Sequence, residues 1–341
     1  MGGRRSGGIA VVYNGYHPRG GIPAAEAEAN ESVARDARAV RDALLAAGRR
    51  AFLAPMRRSP AAFLRRLAAA RPRLVFNLLE GARGESRLEM HACALLELLG
   101  LPYTGSGPLA LGLALDKALA KTLLSAGNVP TPPHFVCAGE PPRRLPRGMR
   151  YPLFVKPVRE DASIGIGPSA FVRNPAELAA RCRRVQARYR QPALVEEYVD
   201  GRELNVAILG AGDPVALPVS EIEMGRLPAG APRICGYRAK WIPGSREYAR
   251  TVPRCPASLS PSEARRLKRV ALAAFRLLSC RGYARVDLRL GRDGVPYVLE
   301  VNPNPCIAPD AGFARSAAAA GLSYAELVCR IADLATASGA A

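Results

Sequence analysis

The chain has 341 residues, enough for two or three domains, and its 49% hydrophobic and 23% charged residues supply sizeable cores and exclude wholesale disorder. No stretch approaches the ~18 consecutive apolar residues of a membrane span, and the apolar run 9–13 is too short for a secretory leader, so a cytoplasmic protein away from the membrane is expected. The formal charge of +20 rests on 49 basic residues of which only five are lysine; the arginines are scattered, aromatics are 6%, and no nucleic-acid partner is expected.

The segment 9–13 reads as a buried strand. Over 25–47, Val33, Ala37, Val40 and Leu44 recur at helical spacing, and Gly48 supplies the stop. Strands over 51–54 and 74–78 with a helix over 60–70 between them complete a strand–helix alternation, which calls for a parallel sheet. A helix follows over 85–99, then the turn Pro102–Gly107, then helix to Gly127. The proline- and arginine-rich stretch 131–152 reads as an exposed connection. A smaller unit follows, with strands over 153–157, 170–173 and 193–198 and a helix over 176–189. After a strand over 204–209, residues 225–256 show no period, which suggests a functional lid.

The densest chemistry lies near the C-terminus. In the strand 283–290, Arg285 and Asp287 share one face; after the turn Gly291–Gly294, the strand 296–302 puts Glu300 and Asn302 on one face. Pairing across so tight a turn is antiparallel, so one sheet face gathers a guanidinium, two carboxylates and an amide. Oxygen donors with no His or Cys suit magnesium, whereas eight cysteines without a CxxC pair and three histidines speak against zinc or a disulfide framework. Three of the five lysines, Lys117, Lys156 and Lys240, stand beside Asp116, Pro157 and Trp241, and a lysine retained where arginine is so freely used suits a point-charge phosphate contact. The small-residue turn 160–167 offers backbone amides for a phosphate.

In this order, Pro102-Tyr-Thr-Gly-Ser-Gly107, Asp116-Lys117, Val155-Lys-Pro157, Ser163-Ile-Gly165, Glu196 to Glu203, Arg285-Val-Asp287 and Glu300-Val-Asn302 resemble the D-alanine–D-alanine ligase branch of the ATP-grasp superfamily. The resemblance implies an α/β ATP-grasp fold of three α/β domains, here 1–115, 116–199 and 200–341, with the lid at 225–256 and ATP between the central and C-terminal domains. It implies a carboxylate–amine ligase working through an acyl phosphate, with a small-molecule carboxylate donor and amine acceptor, two Mg2+ ions (Mn2+ as substitute) and a homodimer. By the same resemblance Lys117, Lys156 and Lys240 hold phosphates, and Ser163 and Gly165 belong to the loop over them. Glu196, Glu197, Tyr198 and Val199, with Leu299, surround the base, and Glu203 takes the ribose. Asp287, Glu300 and Asn302 ligate the metals, and Arg285 stabilises the reacting centre.

On the substrate side the chain departs from the family. Glu31, with Glu28 as competitor, stands for the glutamate that holds the first amino group, and Glu80-Gly81 replaces histidine-glycine. Ala162 replaces a serine, Trp241 a tyrosine, and Ala311 the serine that binds the acceptor carboxylate, in an altered stretch that contains Cys306. Lost hydroxyls of this kind cost ~1–3 kcal/mol each, so a changed substrate is expected. Cys306 reads as a packing residue, and His91 as a structural histidine on a helix facing a domain interface.

Overall fold

The computed structural model describes residues 7–15, 24–57, 59–82, 85–161, 163–225, 232–242 and 244–337, and for 24–31, Trp241 and Ala337 the backbone only. It opens with β1 (Ile9–Asn14), α1 (Ala24–Ala46), β2 (Ala51–Met56), α2 (Pro60–Ala70) and β3 (Leu74–Leu78), then a 3-10 turn at Ser86–Leu88 and helices α3 (Glu89–Leu98), α4 (Pro108–Leu115) and α5 (Lys117–Ala126). The three strands form the expected parallel sheet in the order β2-β1-β3. Alternation along β1 sends Ala10 and Val12 to one core with Phe63 and Leu67 of α2 and Leu96 of α3, and Ile9 and Val11 to the opposite core with Leu44 of α1.

Next come β4 (His134–Cys137), β5 (Leu153–Pro157), β6 (Phe171–Val172), α6 (Pro175–Tyr189) and β7 (Ala193–Glu197), with the strands antiparallel in the order β4-β7-β5-β6. Leu153, Val155 and Val195 pack on Leu178, Cys182 and Val185 of α6. The stretch 131–152 is thus more than a connection: β4 lies within it and pairs with β7.

The last part is β8 (Gly201–Gly210), β9 (Val215–Ala216), β10 (Ser220–Met224), α7 (Tyr237–Trp241), α8 (Arg246–Ala249), β11 (Thr251–Arg254), α9 (Pro261–Leu277), β12 (Gly282–Gly291), β13 (Pro296–Asn302), α10 (Gly312–Ala319) and α11 (Tyr324–Ala337). Its antiparallel sheet runs β11-β10-β8-β12-β13, with β9 also on β8. The stretch 225–256 is not irregular throughout, since α7, α8 and β11 fall inside it; these elements are too short for a helical or alternating period to emerge from sequence. One face of the sheet, through Leu204, Val206, Val286 and Leu288, packs on Leu267, Ala271 and Phe275 of α9. On the opposite face Tyr283, Ala207 and Leu209 join Phe313 of α10, Leu327 and Ile331 of α11 and the parallel sheet in a single core. Beyond Tyr283, the residues of β12 on that face turn polar: Arg285, Asp287 and Arg289. Among the described residues no helix is long and apolar enough to cross a membrane.

Candidate active site

Where sequence periodicity suggests one helix up to Gly127, Asp116 interrupts it in extended backbone (φ −82, ψ 93) and caps α5, its Oδ1 accepting the Leu119 N–H at 3.1 Å. Lys117 therefore starts a new helix, its own N–H donating to the Val158 carbonyl at 3.1 Å. Its buried ammonium reaches the Glu160 carbonyl at 2.6 Å and Asp161 Oδ1 at 3.1 Å, and lies 3.8 Å from Glu300 Oε2. Burial works against that charge, but Asp161 and Glu300 outweigh it and the pKa is raised. One turn on, Lys121 meets Glu196 Oε1 at 2.6 Å, and Lys156 of β5 meets Oε2 at 2.8 Å. All three side chains are buried. Against its own desolvation, Glu196 is held down to about 2 by the two ammoniums, while burial, with the charge of Lys156, pushes Lys121 down to about 8. Two ammoniums share one carboxylate, so the triad keeps a positive charge for an anion to meet.

Across from the lysines lies the polar face of the large sheet. The β12–β13 register sets Arg285 opposite Asn302 and Asp287 opposite Glu300. A bulge falls between Asp287 and Leu288, because Leu288 pairs with Val298 and Leu299 is the extra residue. That bulge lets Val298 and Val301 both face the apolar core while Glu300 and Asn302 stay with Asp287. The Val298 backbone is satisfied elsewhere: its N–H donates to the Pro130 carbonyl at 2.8 Å, and its carbonyl accepts from Thr131 Oγ1 at 2.8 Å and Lys121 Nζ at 3.3 Å. Arg285 forks onto Asp287 at 2.7 and 2.9 Å, and Asn205 Nδ2 on β8 donates to the same carboxylate at 2.7 Å. Against desolvation, the partly buried Glu300 is held down to about 2 by Lys117, Lys240, Lys156 and Arg285. It is therefore ionised at any ordinary pH.

The turn after β5 brings its own constraint. Ser163 (φ 60) and Gly165 (φ 77) are both left-handed, and a Cβ on Gly165 would lie 2.9 Å from Pro157 Cγ. The Gly165 carbonyl accepts from Arg181 of α6. This loop touches the stretch 225–256: Ser163 Oγ donates to the Cys235 carbonyl at 3.5 Å, and the Tyr237 N–H to the Ile166 carbonyl at 3.1 Å. A Gly165→Ala variant should lose about 1–2 kcal/mol through its backbone angle alone, seen as a lower Tm and weaker MgATP binding. Gly167→Ala, whose added carbon would meet no atom within 4 Å, is the control.

The segment after β7 is already tied into the protein. The Glu197 N–H donates to the Pro133 carbonyl at 2.9 Å and the Tyr198 N–H to the Pro152 carbonyl at 3.1 Å, while Glu197 Oε1 accepts the Arg150 N–H at 2.6 Å. The Val199 carbonyl accepts from Arg289 at 2.9 Å, and Arg289 also binds Glu203 Oε2 at 2.8 Å. Of the groups expected to meet a nucleotide, Glu196 is thus a buried ion-pair partner rather than an open hydrogen-bonding edge. Glu203 stands on the wall of a cavity of about 270 Å³, together with Ile222, Met224, Gly225 and Arg233.

On the substrate side, Asn14 fixes the turn after β3: its Oδ1 accepts the Glu80 N–H at 2.8 Å and its Nδ2 donates to the Gly81 carbonyl at 2.9 Å. Glu80 is exposed on one side, and desolvation by the rest of its surroundings, with the charges of Asp36 and Asp161 nearby, pushes it up to about 6. Cys306 is exposed, with its Sγ 3.6 Å from Asp36 Oδ2, so it is not a packing residue. His91 is exposed as well rather than held in an interface. Ala311 caps α10 with no side-chain hydrogen bond. The side chains of Glu31, Glu28 and Trp241, and all of Ala162, lie outside the described residues.

Among the described residues no group of three His, Cys, Asp or Glu side chains forms a metal cage. The donors present are Asp287, Glu300 and the amide of Asn302, whose Oδ1 also accepts the Asn304 N–H at 3.0 Å. A hard-oxygen set with so few protein ligands fits Mg2+, which takes much of its shell from water and phosphate. Sequence reasoning passed over Lys121, Asn205 and Arg289. Arg289 continues the period-two series 285, 287, 289 and was open to detection; Lys121 and Asn205 show their roles only through contacts distant in sequence.

A family model described as D-ala D-ala ligase C-terminus matches residues 139–333. Uncharacterized protein y4sG of Sinorhizobium fredii is 40% identical over 268 residues, covering 77% of this chain and 74% of that protein. The D-alanine–D-alanine ligase of Nitrosospira multiformis is 37% identical over 241 residues, covering 70% and 73% respectively. The crystal structure of the D-alanine–D-alanine ligase from Bacillus anthracis complexed with ATP superposes with a TM-score of 0.72 at 23% identity, over 97% of this chain and 98% of that one, a likeness of fold.

Proposed function

Because the chain belongs to the D-alanine–D-alanine ligase family, with its ATP-grasp fold, we propose that it joins a small-molecule carboxylate to an amine other than the D-alanine pair. The class is that of an ATP-dependent, ADP-forming carboxylate–amine ligase. The observation that carries the reading is the polar row Arg285, Asp287 and Glu300, with Lys117 at 3.8 Å from Glu300 and Lys240 and Lys156 near enough to keep that carboxylate ionised.

Phosphoryl transfer to a carboxylate is largely positioning and charge neutralisation. Lys117, Lys156 and Lys240 hold the phosphates, with Ser163 and the backbone around Gly165 beneath the lid. The chain 196–199 with Leu299 borders the base, and Glu203 accepts the ribose hydroxyls. Asp287, Glu300 and Asn302 would hold two Mg2+ ions, with Mn2+ as a substitute, and bound metal supplies positive charge to the transferred phosphoryl group. Arg285 faces the negative charge that develops on the acyl phosphate and when the amine attacks. The docking of the lid on the phosphate loop keeps water from the acyl phosphate. We read the enzyme as a cytoplasmic homodimer.

The changed substrate rests on an acidic wall and on the hydroxyl side chains that the sequence replaces. Glu80, Asp36 and Cys306 stand near one another there, and the sequence has Ala162, Trp241 and Ala311 where the family carries hydroxyls. Such a wall, with few donors for a carboxylate, would hold the carboxylate of D-alanine poorly and suits a substrate whose ammonium is not accompanied by a carboxylate at that position. The test is ADP and phosphate formation with pairs of D- and L-amino acids, dipeptides and amines, with products identified by mass and Glu300→Gln as the inactive control. A condensed amide from another pair, made faster than D-alanyl-D-alanine, is the expected outcome. D-alanyl-D-alanine as the best product would return the protein to its relatives' named activity. MgATP binding without turnover of any pair would instead favour a nucleotide-binding relative.

A further inference from the structure

The buried guanidinium of Arg289 has no part in the chemistry described above, yet it touches three elements of the nucleotide side. In the β8–β12 register it lies directly opposite Glu203, and it binds Glu203 Oε2 at 2.8 Å. Its other bonds go to the Val199 carbonyl at 2.9 Å and to the Arg233 carbonyl of the lid, and it stacks 5.1 Å from the centre of the Tyr198 ring. Tyr198 in turn accepts the Arg233 N–H at 2.8 Å. Glu203 therefore stands between a fixed cation and the cavity of about 270 Å³ bounded by Ile222, Met224, Gly225 and Arg233, with one oxygen committed to Arg289.

A carboxylate without that partner would turn toward water, because a buried unpaired charge is unfavourable. We propose that Arg289 is a positioning residue for ribose recognition: by holding Glu203 Oε2 it presents the other carboxylate oxygen to a sugar hydroxyl in the adjoining cavity. The proposal rests on the reading of Glu203 as the ribose carboxylate. Arg289 makes no direct contact with the sugar; its effect passes through Glu203, so it governs the distinction between nucleotides with and without ribose hydroxyls, not phosphate affinity.

The test is equilibrium binding of MgATP, Mg-2′-deoxy-ATP and Mg-2′,3′-dideoxy-ATP to the full-length protein, which needs no knowledge of the substrates. A charge-assisted hydrogen bond lost at the ribose corresponds to about tenfold or more in affinity. The wild type is expected to prefer ATP over the dideoxy analogue by at least that factor. Arg289→Met should weaken ATP about tenfold while leaving the dideoxy analogue within about twofold, and Arg289→Lys should restore part of the preference. Arg289→Gln, which keeps a donor for the backbone carbonyls but no charge for Glu203, serves if the Met variant does not fold; it too should lose the preference. Equal weakening of all three nucleotides, or an unchanged preference in both neutral variants, overturns the proposal. Glu203→Gln separates the two readings. If it leaves the preference at the wild-type value, the assignment of Glu203 to the ribose fails; if it abolishes the preference while Arg289→Met and Arg289→Gln do not, only the role of Arg289 fails.

Discussion

Arg285→Met should lower amide formation by about 10²–10³-fold, the usual loss when one preorganised donor to a developing oxyanion is removed. The guanidinium is partly buried and forked onto Asp287 at 2.7 and 2.9 Å, so its position costs little reorganisation during reaction. Two contributions combine in the loss. The positive charge facing the reacting carbon disappears, and Asp287 is left with Asn205 as its remaining side-chain hydrogen-bond donor. Arg285→Lys distinguishes them. A lysine restores charge without the planar fork, so recovery to within about tenfold of wild type would mean that charge dominates. Failure to recover would mean that the geometry of Asp287 does. MgATP affinity of Arg285→Met should fall far less than its turnover of the best substrate pair; equal losses in both would mean that the arginine serves nucleotide binding rather than the reacting centre.

Much of this site is legible in the sequence because it is built on strands. Period-two alternation places Arg285 with Asp287, and a tight turn forces the antiparallel pairing that brings in Glu300 and Asn302. The same reasoning gives the parallel N-terminal sheet, because strands separated by helices have one simple solution. Four kinds of feature escape it. The bulge at Leu299 depends on Pro130, Thr131 and Lys121 capturing the Val298 backbone, more than 160 residues away in sequence. The break at Asp116 is a capping event inside an otherwise unbroken apolar pattern, and Asp116 is held further by Arg159 at 2.9 Å. The described residues of 225–256 form helices of five and four residues and a four-residue strand, shorter than the window in which periodicity can be read. Charge is the fourth gap. Glu196 and Glu197 read from sequence as neighbours in one strand over 193–198, but Glu196 points into a buried pair of lysines while Glu197 binds the Arg150 amide. Alternation separates the two side chains; only the tertiary structure says what each one meets.

That buried triad should carry a large stability effect. Glu196→Gln leaves the ammoniums of Lys121 and Lys156 close together with no carboxylate, and should destabilise the fold by about 3–5 kcal/mol, as breaking a buried ion pair does. Lys121 joins α5 to Glu196 of β7 and to the Val298 carbonyl of β13, and Lys156 adds β5, so the loss should loosen the small sheet from the large one. The pH dependence has a definite sign. The folded-state pKa of Glu196 is lowered from 4.5 to about 2, so its stabilising contribution is present above the unfolded value and drains away as pH falls from about 4.5 through about 2. Wild type should therefore lose stability over that window with a component that Glu196→Gln lacks. The triple variant Lys121→Met, Lys156→Met, Glu196→Met offers the decisive comparison. Apolar side chains of similar size in place of a buried ion cluster are commonly neutral or stabilising, so the triple variant should recover most of the stability lost by Glu196→Gln. It should not recover MgATP binding, because the positive charge that the triad keeps for the phosphates is gone. Recovery of both would mean that the lysines serve the fold alone. Recovery of neither would mean that side-chain packing around α5, rather than charge, sets the stability of this junction.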